Sequence, residues 1–139
     1  MDEHNPVWDS ISCLIIDDDK FSRTFIKTAL YQIGIKTTKE ASNFEEAAEQ
    51  IKVSNISIIL LDQQMPDKSG LDFAQSLRSG GISPESKDIP VIMITIDTQE
   101  KTVMDAKKIG IQEYLVKPIS PLALKRRIST ALNISFESK

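Results

Sequence analysis

The sequence predicts an α/β protein, a doubly wound five-stranded parallel sheet with five helices on its two faces. Three observations predict it. Apolar runs rich in β-branched residues recur along the chain, amphipathic stretches with helix-end signals separate them, and the two alternate five times. Near-continuous apolar runs fit strands covered on both faces, and strands joined through helices require right-handed crossovers in a parallel sheet.

Each element has its own signal. Cys13-Leu14-Ile15-Ile16 reads as the first strand. The first helix starts at Asp19 as N-cap, carries Phe21, Phe25, Ile26, Leu30 and Ile33, and stops at Gly34. Ile35 to Glu40 supplies a weaker second strand. Asn43 and Glu46 stand in capping-box-like spacing ahead of Ala47, Ala48 and Ile51 of the second helix. The third strand is Ile56 to Leu61, and the third helix begins near Gly70, with Leu71, Phe73, Ala74 and Leu77, ending at Gly80-Gly81. Residues 80–88 are long for a connection and rich in Gly, Ser and Pro, so they are expected to form an exposed loop. Val91 to Ile96 is the fourth strand. The fourth helix opens at Thr98, carries Val103, Ala106 and Ile109, and stops at Gly110. Tyr114-Leu115-Val116 is the fifth strand. The last helix has Ser120 as N-cap, Pro121 at its first position and Leu124, Ile128 and Leu132 on one face. Residues 1–11 and 134–139 lack periodicity and are expected to be flexible ends around one domain, residues 12–133.

Composition narrows the function classes. A length of 139 residues is one ordinary domain, large enough to bury a core without disulfides. The net charge of −3, with acids and bases mixed along the chain, gives no electrostatic footprint for nucleic acid or an anionic membrane. The lone Cys13 excludes an internal disulfide and a cysteine-rich zinc site, and its apolar surroundings predict a buried thiol. No segment has the apolar length of a membrane span, and the start Met1-Asp2-Glu3-His4 is unlike a secretory signal, so a cytoplasmic location is expected.

In an open parallel sheet, ligands bind outside the carboxyl ends of the strands, where the strand order reverses. There the sequence delivers Asp17-Asp18-Asp19 after the first strand, Asp62 after the third, Thr95 at the fourth and Lys117-Pro118 after the fifth. Singly, each has a plainer reading. Asp17 to Asp19 suit a helix N-terminus, Asp62 a turn, Thr95 a strand and Lys117 a surface position before a turn proline. Jointly they are specific, because separate strand ends bring acids, a hydroxyl and an ammonium to the one place where the fold puts ligands. Clustered carboxylates repel unless a cation neutralises them, and oxygen ligands without histidine favour a hard ion such as Mg²⁺.

From about Ser12 to Leu132 the chain resembles the receiver domain of response regulators, of the chemotaxis-regulator kind. The resemblance rests on Leu14-Ile15-Ile16-Asp17-Asp18, on Leu61-Asp62-Gln63-Gln64-Met65-Pro66 with Gly70 downstream, on Ile94-Thr95 and on Tyr114-Leu115-Val116-Lys117-Pro118. It implies a flavodoxin-like fold with strand order 2-1-3-4-5. It implies Asp62 as phosphoacceptor, with Mg²⁺ held by Asp62, by Asp18 directly, by Asp17 partly through water and by the Gln64 backbone carbonyl. Thr95 and Lys117 would contact the phosphoryl oxygens, and Tyr114 would turn inward as Thr95 moves. It further implies a histidine kinase or histidine phosphotransfer protein as donor, and a downstream target protein, rather than nucleic acid or membrane, as the receiver of the signal. The sole histidine, His4, stands in the expected flexible start and is poorly placed to be the donor.

Two features depart from the family or extend its pattern. The residue after the switch threonine is usually small in this family, whereas Ile96 is branched and is expected to crowd the phosphorylation pocket. Lys107, Lys108, Lys125, Arg126 and Arg127 fall on the expected output face of the fourth helix, fifth strand and fifth helix, where a plain solvated face is the simpler account. A haloacid-dehalogenase-type phosphatase would need an acid two residues after the nucleophile, where Gln64 stands, and a phosphorylation-independent pseudo-receiver would normally lack an acid or the lysine. Nucleotide binding has less support, since no Gly-rich phosphate loop follows the first strand.

Overall fold

A computed structural model describes residues 6–66, 68–96, 100–111 and 113–134. Five parallel strands, β1 (Ser12–Ile16), β2 (Thr37–Ala41), β3 (Ile58–Asp62), β4 (Val91–Thr95) and β5 (Glu113–Val116), lie in the order β2-β1-β3-β4-β5. Five helices alternate with them: α1 (Lys20–Ile33), α2 (Phe44–Val53), α3 (Gly70–Arg78), α4 (Glu100–Lys108) and α5 (Pro121–Ala131). The strand order reverses between β1 and β3, so the crevice for a ligand lies at their carboxyl ends.

Side-chain alternation splits the core into two layers. Cys13, Ile15, Ile58, Leu60, Ile92, Ile94 and Leu115 face α1 and α5, while Leu14, Ile16, Ile59, Leu61, Val91 and Met93 face the opposite helices. This parity also sorts the site. Asp17, Asp62, Ile96 and Lys117 follow the first set, and Thr95 and Tyr114 follow the second.

Helix ends largely follow their sequence signals. Asp19 accepts from the Phe21 N–H at 3.2 Å, Asn43 from Glu46 at 2.8 Å and Ser120 from Ala123 at 3.1 Å. The Glu46 carboxylate reaches past Asn43 to the backbone and hydroxyl of Ser42, whereas a complete capping box, Ser69 with Asp72, starts α3. The second strand begins at Thr37, two residues later than expected. Gly34 takes a left-handed conformation, φ 107°, its N–H bonding Tyr31 O at 3.1 Å, and the Ile35 N–H bonds Leu30 O at 2.9 Å. Ile35 is therefore committed to a Schellman cap and buried beneath it.

Part of each end segment packs against the core. Pro6–Ser10 form a 3₁₀ turn that places Trp8, 2% exposed, in the α1/α5 core layer beside Ile11. At the other end, Ile134 donates from its backbone to Ser129 O at 2.8 Å and packs on the same layer. Residues 6–10 and Ile134 thus bury apolar surface that so short a segment gave no periodicity to reveal. Thr98, His4 and residues 135–139 lie outside the described residues. Within the 80–88 loop, Pro84–Ser86 form a 3₁₀ turn with Ser86 buried. Arg78 clamps this loop, donating to Lys87 O at 3.0 Å and Ile89 O at 2.7 Å, and it also reaches Gly110 O at 3.3 Å. No helix among the described residues is long and apolar enough to cross a membrane.

Candidate functional site

The end of β1 supplies two acids with different surroundings. Asp17 is buried, 1% exposed, and Asp18 is exposed, with no partner for its carboxylate among the described residues. Asp17 Oδ1 accepts the Asp19 N–H at 2.9 Å, and Oδ2 accepts both the Ser22 hydroxyl and the Lys117 ammonium, the latter at 3.2 Å. Arg23 fixes the backbone here, donating to Asp17 O at 2.7 Å while its Nε pairs with Glu40 at 3.0 Å.

Asp62 ends β3 and is 8% exposed. Its Oδ1 accepts the Gln64 N–H at 3.0 Å and its Oδ2 the Lys117 ammonium at 3.3 Å. Carboxylate oxygens of Asp17, Asp18 and Asp62 lie within 4.8 Å of one another. Burial raises the Asp62 pKa above the ordinary carboxylate value and Asp17 adds to this, while the Gln64 N–H and Lys117 oppose it. For Lys117, burial works against the charged form, but the Asp62 and Asp17 carboxylates outweigh it and raise its pKa. The ammonium is therefore held charged between two acids, 26% exposed, where an incoming anion could meet it.

The loop after Asp62 is shaped by close backbone contact. Gly70 N donates to Gln63 O at 2.8 Å, and a Cβ on Gly70 would lie 2.7 Å from Asp62 O and 3.0 Å from Gln63 Cα. Only glycine fits there. The Gln63 side chain accepts the Leu71 N–H at 2.9 Å at the start of α3, so the loop carrying Gln64 is tied at two points.

Thr95 is fully buried at the end of β4, and its carbonyl accepts the Lys117 N–H at 2.9 Å, which ties β5's functional end to β4. Tyr114 is half-buried against the α2–α4 core layer, on the face that Thr95 follows. Ile96 is 64% exposed, and strand parity carries it to the α1 side. There it lines an apolar groove of about 450 Å³ with Phe21, Phe25, Pro118 and Ile119, with Lys117 at its border. It flanks the site beside Lys117, whereas the sequence led us to expect it over the pocket itself. Lys107, Lys108, Arg126 and Arg127 are exposed on α4 and α5, and Arg127 reaches Glu113 at 3.5 Å.

The sequence-predicted residues Asp17, Asp18, Asp62 and Lys117 thus meet in one cluster, and Gln64 and Thr95 border it through backbone bonds. Ser22, Arg23 and Gln63 were missed. Helical spacing after Asp19 brings the first turn of α1 back over the β1 end, but that signal does not separate Ser22 from its polar neighbours.

The donor set is oxygen-only and acidic, which fits a hard divalent cation such as Mg²⁺. A phosphoryl group entering the same place would find an ammonium and a carboxylate at one edge, an arrangement suited to phosphoryl transfer. The family model described as the response regulator receiver domain matches residues 13–129. The chemotaxis protein CheY1 of Helicobacter pylori is 33% identical over 120 residues, covering 86% of this chain and 94% of that protein. The receiver domain of the Francisella response regulator 1452 superposes with a TM-score of 0.77 at 30% identity, covering 89% of this chain and 98% of that one. The chemotaxis protein CheY4 of Vibrio cholerae, 24% identical with a TM-score of 0.78 over 88% of this chain and 98% of that one, shares the fold.

Proposed function

The chain belongs to the response regulator receiver domain family, a family of signalling domains, and from that membership we propose that Asp62 accepts a phosphoryl group from a phosphohistidine on a partner protein. The observation that carries this reading is the Lys117 ammonium shared between Asp17 and Asp62 beside the exposed carboxylate of Asp18. In the transfer, an Asp62 carboxylate oxygen bonds to phosphorus as the P–N bond to the donor imidazole breaks, its electron pair leaving with the ring nitrogen. Two anions must approach each other, so the positive charge held at Lys117 is what the site itself contributes.

Asp18, Asp62 and the Gln64 carbonyl would hold Mg²⁺, with Asp17 acting through water. When bound, the ion supplies charge neutralisation between carboxylate and phosphoryl oxygens. Lys117 then shifts from the carboxylates toward the phosphoryl oxygens, Thr95 adds a hydroxyl hydrogen bond, and Tyr114 follows Thr95 inward. The signal passes to a target protein through the α4-β5-α5 face. Retention of Asp17, Asp18, Asp62, Thr95 and Lys117 favours this reading over a phosphorylation-independent binding module. Incubation with Mg²⁺ and a small phosphoryl donor should yield one acid-labile phosphate on Asp62, located by mass. A phosphate elsewhere, or none, would overturn the proposal.

The differing environments of the two acids give a graded expectation. Asp17→Ala should weaken Mg²⁺ binding by about tenfold, the usual scale for an outer-sphere partner, and Asp18→Ala by more. Calorimetric titration of both variants checks the order, and equal affinities in parent and variants would place the metal elsewhere.

We further propose that small donors reach Asp62 past Lys117 through the groove that Ile96 lines on the α1 side. Ile96→Ala is expected to speed phosphorylation by small donors and hydrolysis of the acyl phosphate by a few-fold to tenfold, roughly 1 kcal/mol in each barrier. Unchanged rate constants at saturating Mg²⁺ would show that the side chain stays clear of that path.

A further inference from the structure

Asp17 is more heavily engaged than an outer-sphere ligand requires. Its Oδ2 receives two donors, the Lys117 ammonium and the Ser22 hydroxyl, and its Oδ1 receives the Asp19 N–H. Lys117 is the mobile one of these, because the proposed chemistry draws it toward the phosphoryl group. Ser22 sits on the first turns of α1, itself half-buried, and keeps its hydrogen bond when Lys117 leaves. The Asp17 carboxylate is therefore pinned in one orientation and kept partly satisfied at 1% exposure.

We propose that Ser22, through its hydrogen bond to Asp17 Oδ2, is a positioning residue that sets the metal selectivity of the acidic pocket. The inference rests on reading that pocket as a Mg²⁺ site. Mg²⁺ demands octahedral geometry and keeps several waters, so it loses nothing when Asp17 is restricted to a water-mediated role. Ca²⁺ accepts six to eight oxygen ligands in flexible geometry and gains from each carboxylate that can turn toward it. By occupying Oδ2, Ser22 withholds from the larger ion the additional direct ligand it would otherwise recruit. Removing the hydroxyl leaves that buried oxygen with the Lys117 ammonium alone, the mobile one of its two donors, and a larger cation is the species best able to take the vacated place.

Ser22→Ala keeps a good helix former at the position, so α1 is expected to persist. Calorimetric titration of the full chain with Mg²⁺ and with Ca²⁺ tests the proposal on parent, Ser22→Ala and Ser22→Thr. The Ca²⁺ affinity of Ser22→Ala should rise about tenfold relative to its Mg²⁺ affinity, the scale of a lost partner to a metal-site ligand, and Ser22→Thr should restore the parent ratio. A general loosening of the pocket would move both ions together. An unchanged ratio in Ser22→Ala, in a parent that binds Mg²⁺, overturns the role of Ser22 alone, whereas a parent that binds neither ion overturns the Mg²⁺ reading and this inference with it.

Discussion

Asp62→Asn is expected to abolish covalent phosphorylation while leaving the fold intact. The substitution removes the attacking oxygen and keeps nearly the same volume, so β3 and its neighbours keep their packing. The remaining carbonyl oxygen can still accept the Gln64 N–H, and Lys117 retains Asp17 as an ion-pair partner. The effect on stability follows from the direction of the Asp62 pKa, which burial raises above its unfolded value. An acid so perturbed binds its proton more tightly in the folded state, so stability falls as pH rises from the ordinary carboxylate value through the raised one. At neutral pH the charged carboxylate therefore opposes folding, and the amide relieves it. The variant should melt no lower than the parent at pH 7, and the difference should vanish at acidic pH, where Asp62 is protonated in both states. Radiolabel or mass measurement of both proteins with Mg²⁺ and a small donor gives the primary answer, and undiminished labelling of Asp62→Asn would remove Asp62 from the role proposed.

Trp8→Ala is expected to destabilise the protein by about 3–5 kcal/mol, the range for truncating a buried Trp. Trp8 is 2% exposed in the layer formed with Ile11, Cys13, Leu30 and Ile35. For a domain of ordinary stability, about 5–15 kcal/mol in all, that loss is a large fraction of the total. Chemical denaturation followed by circular dichroism measures it without relying on the indole itself. Trp8→Phe, which keeps a ring in the cavity, should lose less. A shift within about 0.5 kcal/mol for Trp8→Ala, typical of surface positions, would return this segment to the status of a loose end.

Much of the site was legible because its residues lie at strand ends. A parallel sheet delivers the ends of β1, β3, β4 and β5 to one edge, so Asp17, Asp18, Asp62, Thr95 and Lys117 could be grouped before any distance was known. Asp17 and Asp18 are alike in sequence, yet one is buried and engaged by three donors and the other exposed. That difference arises from α1 folding back over the β1 end, which brings Ser22 onto Asp17. Ile96 was readable as a departure, but its direction was not, since its placement in the α1 groove depends on strand parity carried past the end of β4 and on where Phe21 and Pro118 stand.

By itself the sequence determined the layered α/β architecture, most helix starts and stops, and the identity of the acids and lysine at the sheet edge, because periodicity, capping chemistry and strand-end position are local properties. Tertiary structure alone decided that Trp8 belongs to the core and Ile134 packs against it, that Ile35 closes a helix instead of opening a strand, that Gly70 is needed for its close approach to Asp62, and that Ser22 holds Asp17. The burial of Trp8 and the packing of Ile134 depend on the core layer they join, which leaves no periodic trace in so short a segment. The contacts of Ile35, Gly70 and Ser22 are only five to eight residues apart, but they depend on how the chain turns at a helix or strand end, which periodicity does not record.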